Sequence, residues 1–212
     1  NGVTERRQDF RTHAEYVPEL ARQVVYEQYK EDAYTSGITV ITTVLKAEQD
    51  AAYESVRRNV LNYDQRHGYR GPEKFVTLPD DEAERSELIA EELRKRPVSD
   101  GLVPVMVIDS SAKRVRVENL DGDRIDIGPA GLRLAASGLN PNARDALRIR
   151  PGAIVRIMQD AKGAWVVVQV PQVAAAFVAL DVNTGGYHAL VGGFDFNLQK
   201  YNHVTQALRQ PG

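Results

Sequence analysis

The chain contains no cysteine. That excludes a disulfide scaffold, a thiol nucleophile and a cysteine-ligated zinc site, but it fits a periplasmic and a cytosolic protein equally well. Tryptophan occurs once and phenylalanine five times among the 212 residues. No apolar run reaches the roughly 18 residues that a membrane-spanning helix needs, and no charged-then-apolar leader with a small-residue cleavage site is present. Excess charge is missing too. The 27 basic and 29 acidic residues leave a net charge of −2, which argues against wholesale nucleic-acid binding. Gly-rich phosphate loops of the dinucleotide-binding and P-loop types are absent. The four histidines, His13, His67, His188 and His203, are never three or four apart. A helical metal pair is therefore unavailable, and neither a metal nor another cofactor is expected.

What is present is enough apolar sequence, 42% of residues, to bury a core and escape disorder. At roughly 150 residues per domain the length allows one or two domains. Charge divides the chain further. Residues 1–100 hold 20 of the 29 acidic and 15 of the 27 basic groups, residues 101–171 hold 7 and 10, and residues 172–212 hold two of each. Three segments with different roles are expected, with boundaries near 100 and 171.

The first segment reads as helical. Val17, Leu20, Ala21, Val24 and Val25 recur at helical spacing behind Pro18. A second helix is predicted from about Ala47 to Asp64, ended by Gly68, Gly71 and Pro72. A third covers 80–96, acidic at its start and basic at its end, as the helix dipole prefers. Between the first two, the β-branched run Ile38–Val44 predicts a short strand.

The middle segment changes period. Val103, Val105 and Val107 alternate, as do Val115 with Val117 and Ile125 with Ile127, and Asp121-Gly122 marks a hairpin turn. Residues 130–147 have room for a short helix. Ala153–Met158 and Trp165–Val170 complete five strands around it, the order of an OB-fold barrel. In the last segment Val173–Asp181, apolar on both faces, predicts a central strand, and Tyr187–Val191 pairs back on it through Asn183-Thr184-Gly185-Gly186. A sheet begun so late reads as incomplete. The fold class expected is α+β.

Ser110-Ser111-Ala112-Lys113 satisfies S-x-x-K, the spacing of penicillin-reactive serine enzymes. That chemistry needs Ser and Lys on one helical face, whereas here the motif joins two alternating runs and reads as a polar hairpin loop. Ser99-Asp100-Gly101 begins like S-D-N and fails at its third residue. Asp80, Asp81, Glu82 and Glu84 are a solvated helix start rather than a cation site. An OB barrel invites a nucleic-acid reading, but stacking platforms are required, and Trp165 is the sole aromatic of residues 101–171. Arginines there (Arg114, Arg116, Arg124, Arg148, Arg150 and Arg156 among them) are interleaved with acids. The polar and aromatic run Tyr63–Pro72 reads as a hydrogen-bonded loop closing a helix.

Ile41-Thr42-Thr43 followed by Gln49-Asp50-Ala51-Ala52 resembles the linker of class A penicillin-binding proteins. The run Asn62–Pro72 resembles the 1A type from Gram-negative bacteria. Asp181, Thr184-Gly185, Ala189–Gly193, Asp195-Phe196, Asn202 and Thr205–Gly212 resemble the opening of that family's transpeptidase domain. The resemblance implies a parent that is a bifunctional peptidoglycan synthase, periplasmic and anchored in the inner membrane. Its glycosyltransferase polymerises lipid II and its transpeptidase cross-links peptide stems. By the same resemblance the catalytic serine follows Gly212, so no catalytic residue is assigned to this chain. What the chain holds is then a linker, an inserted OB-like domain and an incomplete transpeptidase β-hairpin. The inserted domain is expected to dock an outer-membrane lipoprotein activator. The alternatives are a structural spacer and, ranked lower, a nucleic-acid module.

Overall fold

The computed structural model describes residues 13–208. Arg209-Gln210-Pro211-Gly212, part of the transpeptidase resemblance, lies outside them. The helices are Tyr16–Tyr29 (α1), Asp32–Thr35 (α2), Lys46–Arg66 (α3) and Glu82–Arg94 (α4). The strands are Lys74–Phe75 (β1), Val103–Ser110 (β2), Val115–Glu118 (β3), Arg124–Ile127 (β4), Ala153–Gln159 (β5), Trp165–Val168 (β6), Phe177–Leu180 (β7) and Tyr187–Val191 (β8). By its contacts the chain separates into two compact units, 61–173 and a second made of residues up to Val60 with those from Ala174 onward.

In unit 61–173, β2, β3 and β4 form an antiparallel meander. Asn119 shapes its turn, its Oδ1 accepting the Asp121 and Asp123 amides at 3.0 and 2.8 Å. β5 returns beside β2, with Met106 opposite Ile154 and Val103 opposite Ile157. The far edge of β5 is shared by β6 and the short β1. The five expected strands are all present in an OB-like arrangement, and β1 joins them from the first compositional segment. Val105, Val107, Val115, Val117, Ile127, Val155 and Ile157 fill the interior. Met106 and Ile154, on the opposite faces of the same strands, pack with Ile89 and Leu93 of α4. Burial on both faces explains why residues 104–108 are apolar without a gap.

The short helix expected within 130–147 is replaced by three 3₁₀ turns, Pro129–Leu132, Leu134–Leu139 and Asp145–Leu147. Glycine favours this outcome, being a poor α-helix former, and the backbone also approaches too closely for larger residues. A Cβ on Gly131 would lie 2.3 Å from the Trp165 carbonyl oxygen, and one on Gly138 would lie 2.3 Å from that of Leu147.

In the second unit β7 and β8 form an antiparallel hairpin. Two expectations fail here. Among the described residues β7 has one ladder partner rather than two, and Phe177, Val178 and Leu180 stay 43%, 40% and 51% exposed. Residues 38–44 form no strand ladder, and Ile41 is 92% exposed. The reason lies on β8, whose outer edge is already occupied. Gln49, fully buried on α3, donates to the Leu190 carbonyl at 3.0 Å and accepts the Leu190 amide at 2.8 Å. The Leu45 amide takes the His188 carbonyl at 2.9 Å, and the Thr43 hydroxyl takes that of Tyr187 at 2.8 Å. A side-chain amide substitutes for the neighbouring strand.

Candidate functional site

The S-x-x-K motif lies where the alternation placed it. Ser110 is the last residue of β2, opposite Val115. Ser111 closes the turn, its amide donating to the Arg114 carbonyl at 2.8 Å and its hydroxyl accepting the Arg114 amide at 3.0 Å. Lys113 therefore sits in a hairpin turn and does not share a helical face with Ser110.

Several arginines of the OB-like unit are engaged by their neighbours. Arg116 grips Asp126 through two contacts of 2.8 Å, which holds that carboxyl below its ordinary range. Arg114 meets Asp109 at 2.9 Å, and Arg124 meets Glu118 at 3.1 Å and Glu82 at 2.9 Å. Arg148 donates to the Ala143 carbonyl at 3.1 Å, and Arg150 lies 4.8 Å from the centre of the Phe75 ring. Trp165 is half-buried against the interior core. The acidic start of α4 is also accounted for. Asp81 caps the helix by accepting the Glu84 amide at 2.9 Å, and Glu82 holds Arg124. Among the described residues no three His, Asp or Glu side chains converge as a metal site.

Two buried polar clusters stand out, and composition alone marked neither as a cluster. The first fastens α4 to the sheet. Glu92, its side chain 8% exposed, meets Lys74 at 2.9 Å, Lys95 at 3.0 Å and Arg96 at 3.2 Å. Hydrogen bonds from Lys74, Lys95 and then Arg96 bring its carboxyl down to about 2. Beside it Arg156, buried on β5, bonds Glu73 at 2.6 Å and the carbonyls of Pro97 and Leu102 at 2.7 and 3.0 Å.

The second cluster lies where the chain enters and leaves the unit. Asp64, in the last turns of α3 with its side chain 5% exposed, accepts from Arg70 at 2.8 Å. It also accepts from Gln169 at 2.8 Å and from the Gln172 amide at 3.2 Å. Arg70 reaches the Val170 carbonyl at 2.7 Å. Gln169 accepts the Arg70 amide at 3.0 Å and donates to the Gly68 carbonyl at 2.9 Å. The loop expected at 63–72 is thus hydrogen-bonded, but its partners lie about a hundred residues on. Beside it opens a cleft of about 490 Å³, lined by Arg70, Pro72, Glu73, Arg156, Gln169 and Pro171 among others. No helix among the described residues is long and apolar enough to cross a membrane.

The family described as the penicillin-binding protein OB-like domain matches residues 69–173. Penicillin-binding protein 1A of Neisseria lactamica is 40% identical over 198 residues, 93% of this chain and 25% of that protein. Penicillin-binding protein 1A of Escherichia coli K12 is 37% identical over 207 residues, 94% of this chain and 24% of that protein. The crystal structure of penicillin-binding protein 1A from Haemophilus influenzae superposes with a TM-score of 0.81 at 33% identity, covering 96% of this chain and 29% of that one. The chain thus spans about a quarter of the length of the curated relatives it matches. On these matches the chain, α+β with an OB-like domain, belongs to the penicillin-binding protein 1A family.

Proposed function

We propose that this chain is a non-catalytic regulatory segment of a bifunctional peptidoglycan synthase, with unit 61–173 as its docking module. The parent would polymerise lipid II and cross-link peptide stems in the periplasm, anchored in the inner membrane of a Gram-negative bacterium. The residues before and after that unit would then be a linker and the opening of the transpeptidase domain. The observation that carries the reading is that the OB-like unit has its own double-sided core, with Arg114, Arg116, Arg124, Arg148 and Arg156 each paired to a carboxylate of the same unit. Such a unit can present a stable surface to a protein partner, and with Trp165 as the sole aromatic of 101–171 it offers no row of stacking platforms to a nucleic acid. The partner class is an outer-membrane lipoprotein activator.

The test is affinity capture from detergent-solubilised cell envelope, read by mass spectrometry. Enrichment of an outer-membrane lipoprotein by the whole chain, absent when 69–173 is replaced by a short linker, is the expected result. Removing 101–171 alone would strip α4 of its packing partners Met106 and Ile154 and confuse the outcome. A blank leaves the second reading, a spacer between two enzymatic domains. The Ser110 hairpin gives a second check: incubation with a β-lactam should leave the intact mass unchanged, and an adduct on Ser110 would overturn the non-catalytic assignment.

A further inference from the structure

Asp64, Arg70 and Gln169 each bond across the two chain crossings of unit 61–173. From the incoming crossing, Asp64 accepts from Gln169 and the Gln172 amide, and Arg70 donates to Val170. From the outgoing crossing, Gln169 donates to Gly68. No bond in the set belongs to one crossing alone except Arg70 to Asp64 at 2.8 Å. Removing the Asp64 carboxylate takes a partner from Arg70, from Gln169 and from the Gln172 amide at once, and buried polar groups that lose partners are costly. The set should therefore hold or release as a whole. Replacing a whole buried ion pair by well-packed apolar side chains is often neutral for stability, so stability alone does not require the Asp64–Arg70 pair. A carboxylate does provide a geometry with one satisfied arrangement. Beside it lies the open cleft rather than packed core, which gives water a path to the groups when they part.

We infer that Asp64, Arg70 and Gln169 form a latch that closes both connections of the OB-like unit as one cooperative joint. Where the unit docks a partner, as proposed above, the load reaches both connections through this joint.

Amide hydrogen exchange on the chain and its Asp64→Asn variant tests it without any partner. Asparagine keeps the shape but sets an amide donor against the donors of Arg70 or Gln169. Residues 68–71 and 169–172 should lose protection together, by about tenfold or more, while Val105 and Val117 in the core keep theirs. Arg70→Lys, which cannot span both Asp64 and Val170, should give the same pattern more weakly. Opening of one crossing alone, a loss spread evenly over the unit, or no change would each overturn the latch. Failure of the docking reading is separate, for it would appear as a wild-type chain that captures no lipoprotein while the exchange pattern stands.

Discussion

At the scale of single residues, Gln49 and Tyr69 present opposite cases of polar burial. Gln49 completes a sheet edge. Its amide also donates to the His13 carbonyl at 2.7 Å, so three backbone groups depend on it. Gln49→Leu fills the space but strands the Leu190 amide and carbonyl, both buried. The expected loss is about 2–6 kcal/mol, at roughly 1–3 for each stranded group, measured by urea unfolding. Tyr69 is 8% exposed, and its hydroxyl has no hydrogen-bond partner among the described residues. Burial raises its ionisation well above the phenol's ordinary value, with the charge of Glu73 adding to it, so the group stays neutral but unsatisfied. Tyr69→Phe should therefore be neutral or stabilising by about 1 kcal/mol. A loss of that size instead would mean that the hydroxyl has a partner.

Among the elements, α4 has an attachment that depends on ionisation. Glu92 titrates near 4.5 when unpaired and near 2 beside Lys74, Lys95 and Arg96. A carboxyl depressed on folding stabilises the fold above its unfolded pKa and loses that contribution as pH falls through the folded one. Amide protection of 82–94 should thus fall between pH 4.5 and 2 faster than that of β2 and β5. Glu92→Gln should flatten the difference, and an unchanged profile in that variant would assign the acid response elsewhere. Helices and strands of this unit were legible because their periods are local: Val103, Val105 and Val107 alternate, and the acidic start and basic end of α4 mark its limits. The β-branched run 38–44 reads as a strand in the sequence and forms no ladder in the structure, since propensity reports a backbone preference while a ladder needs a free edge. Nothing near Gln49 announces that its side chain takes that edge. The 3₁₀ turns replaced a helix because close backbone approaches, invisible in sequence, demand glycine at 131 and 138.

For the molecule as a whole, the question is where the OB-like unit begins. The family match starts at residue 69, while contacts begin the unit at Leu61. The difference contains the last turns of α3 and Asp64. Both cores lie within 69–173, so either polypeptide holds the apolar residues needed to fold. Only the longer one contains the carboxylate that meets Arg70, Gln169 and the Gln172 amide. In the shorter one Arg70 and Gln169 turn to water, which relieves part of the cost because Arg70 is already 28% exposed. The polypeptide 61–173 should therefore exceed 69–173 in stability by about 1–3 kcal/mol, the range for losing charge-assisted hydrogen bonds. Asp64→Asn in the longer polypeptide should remove most of the gap. Equal unfolding midpoints for 61–173 and 69–173 would place the boundary where the family match has it and leave the carboxylate without energetic weight. A gap that survives Asp64→Asn would move the credit to the packing of Leu61, which is 7% exposed.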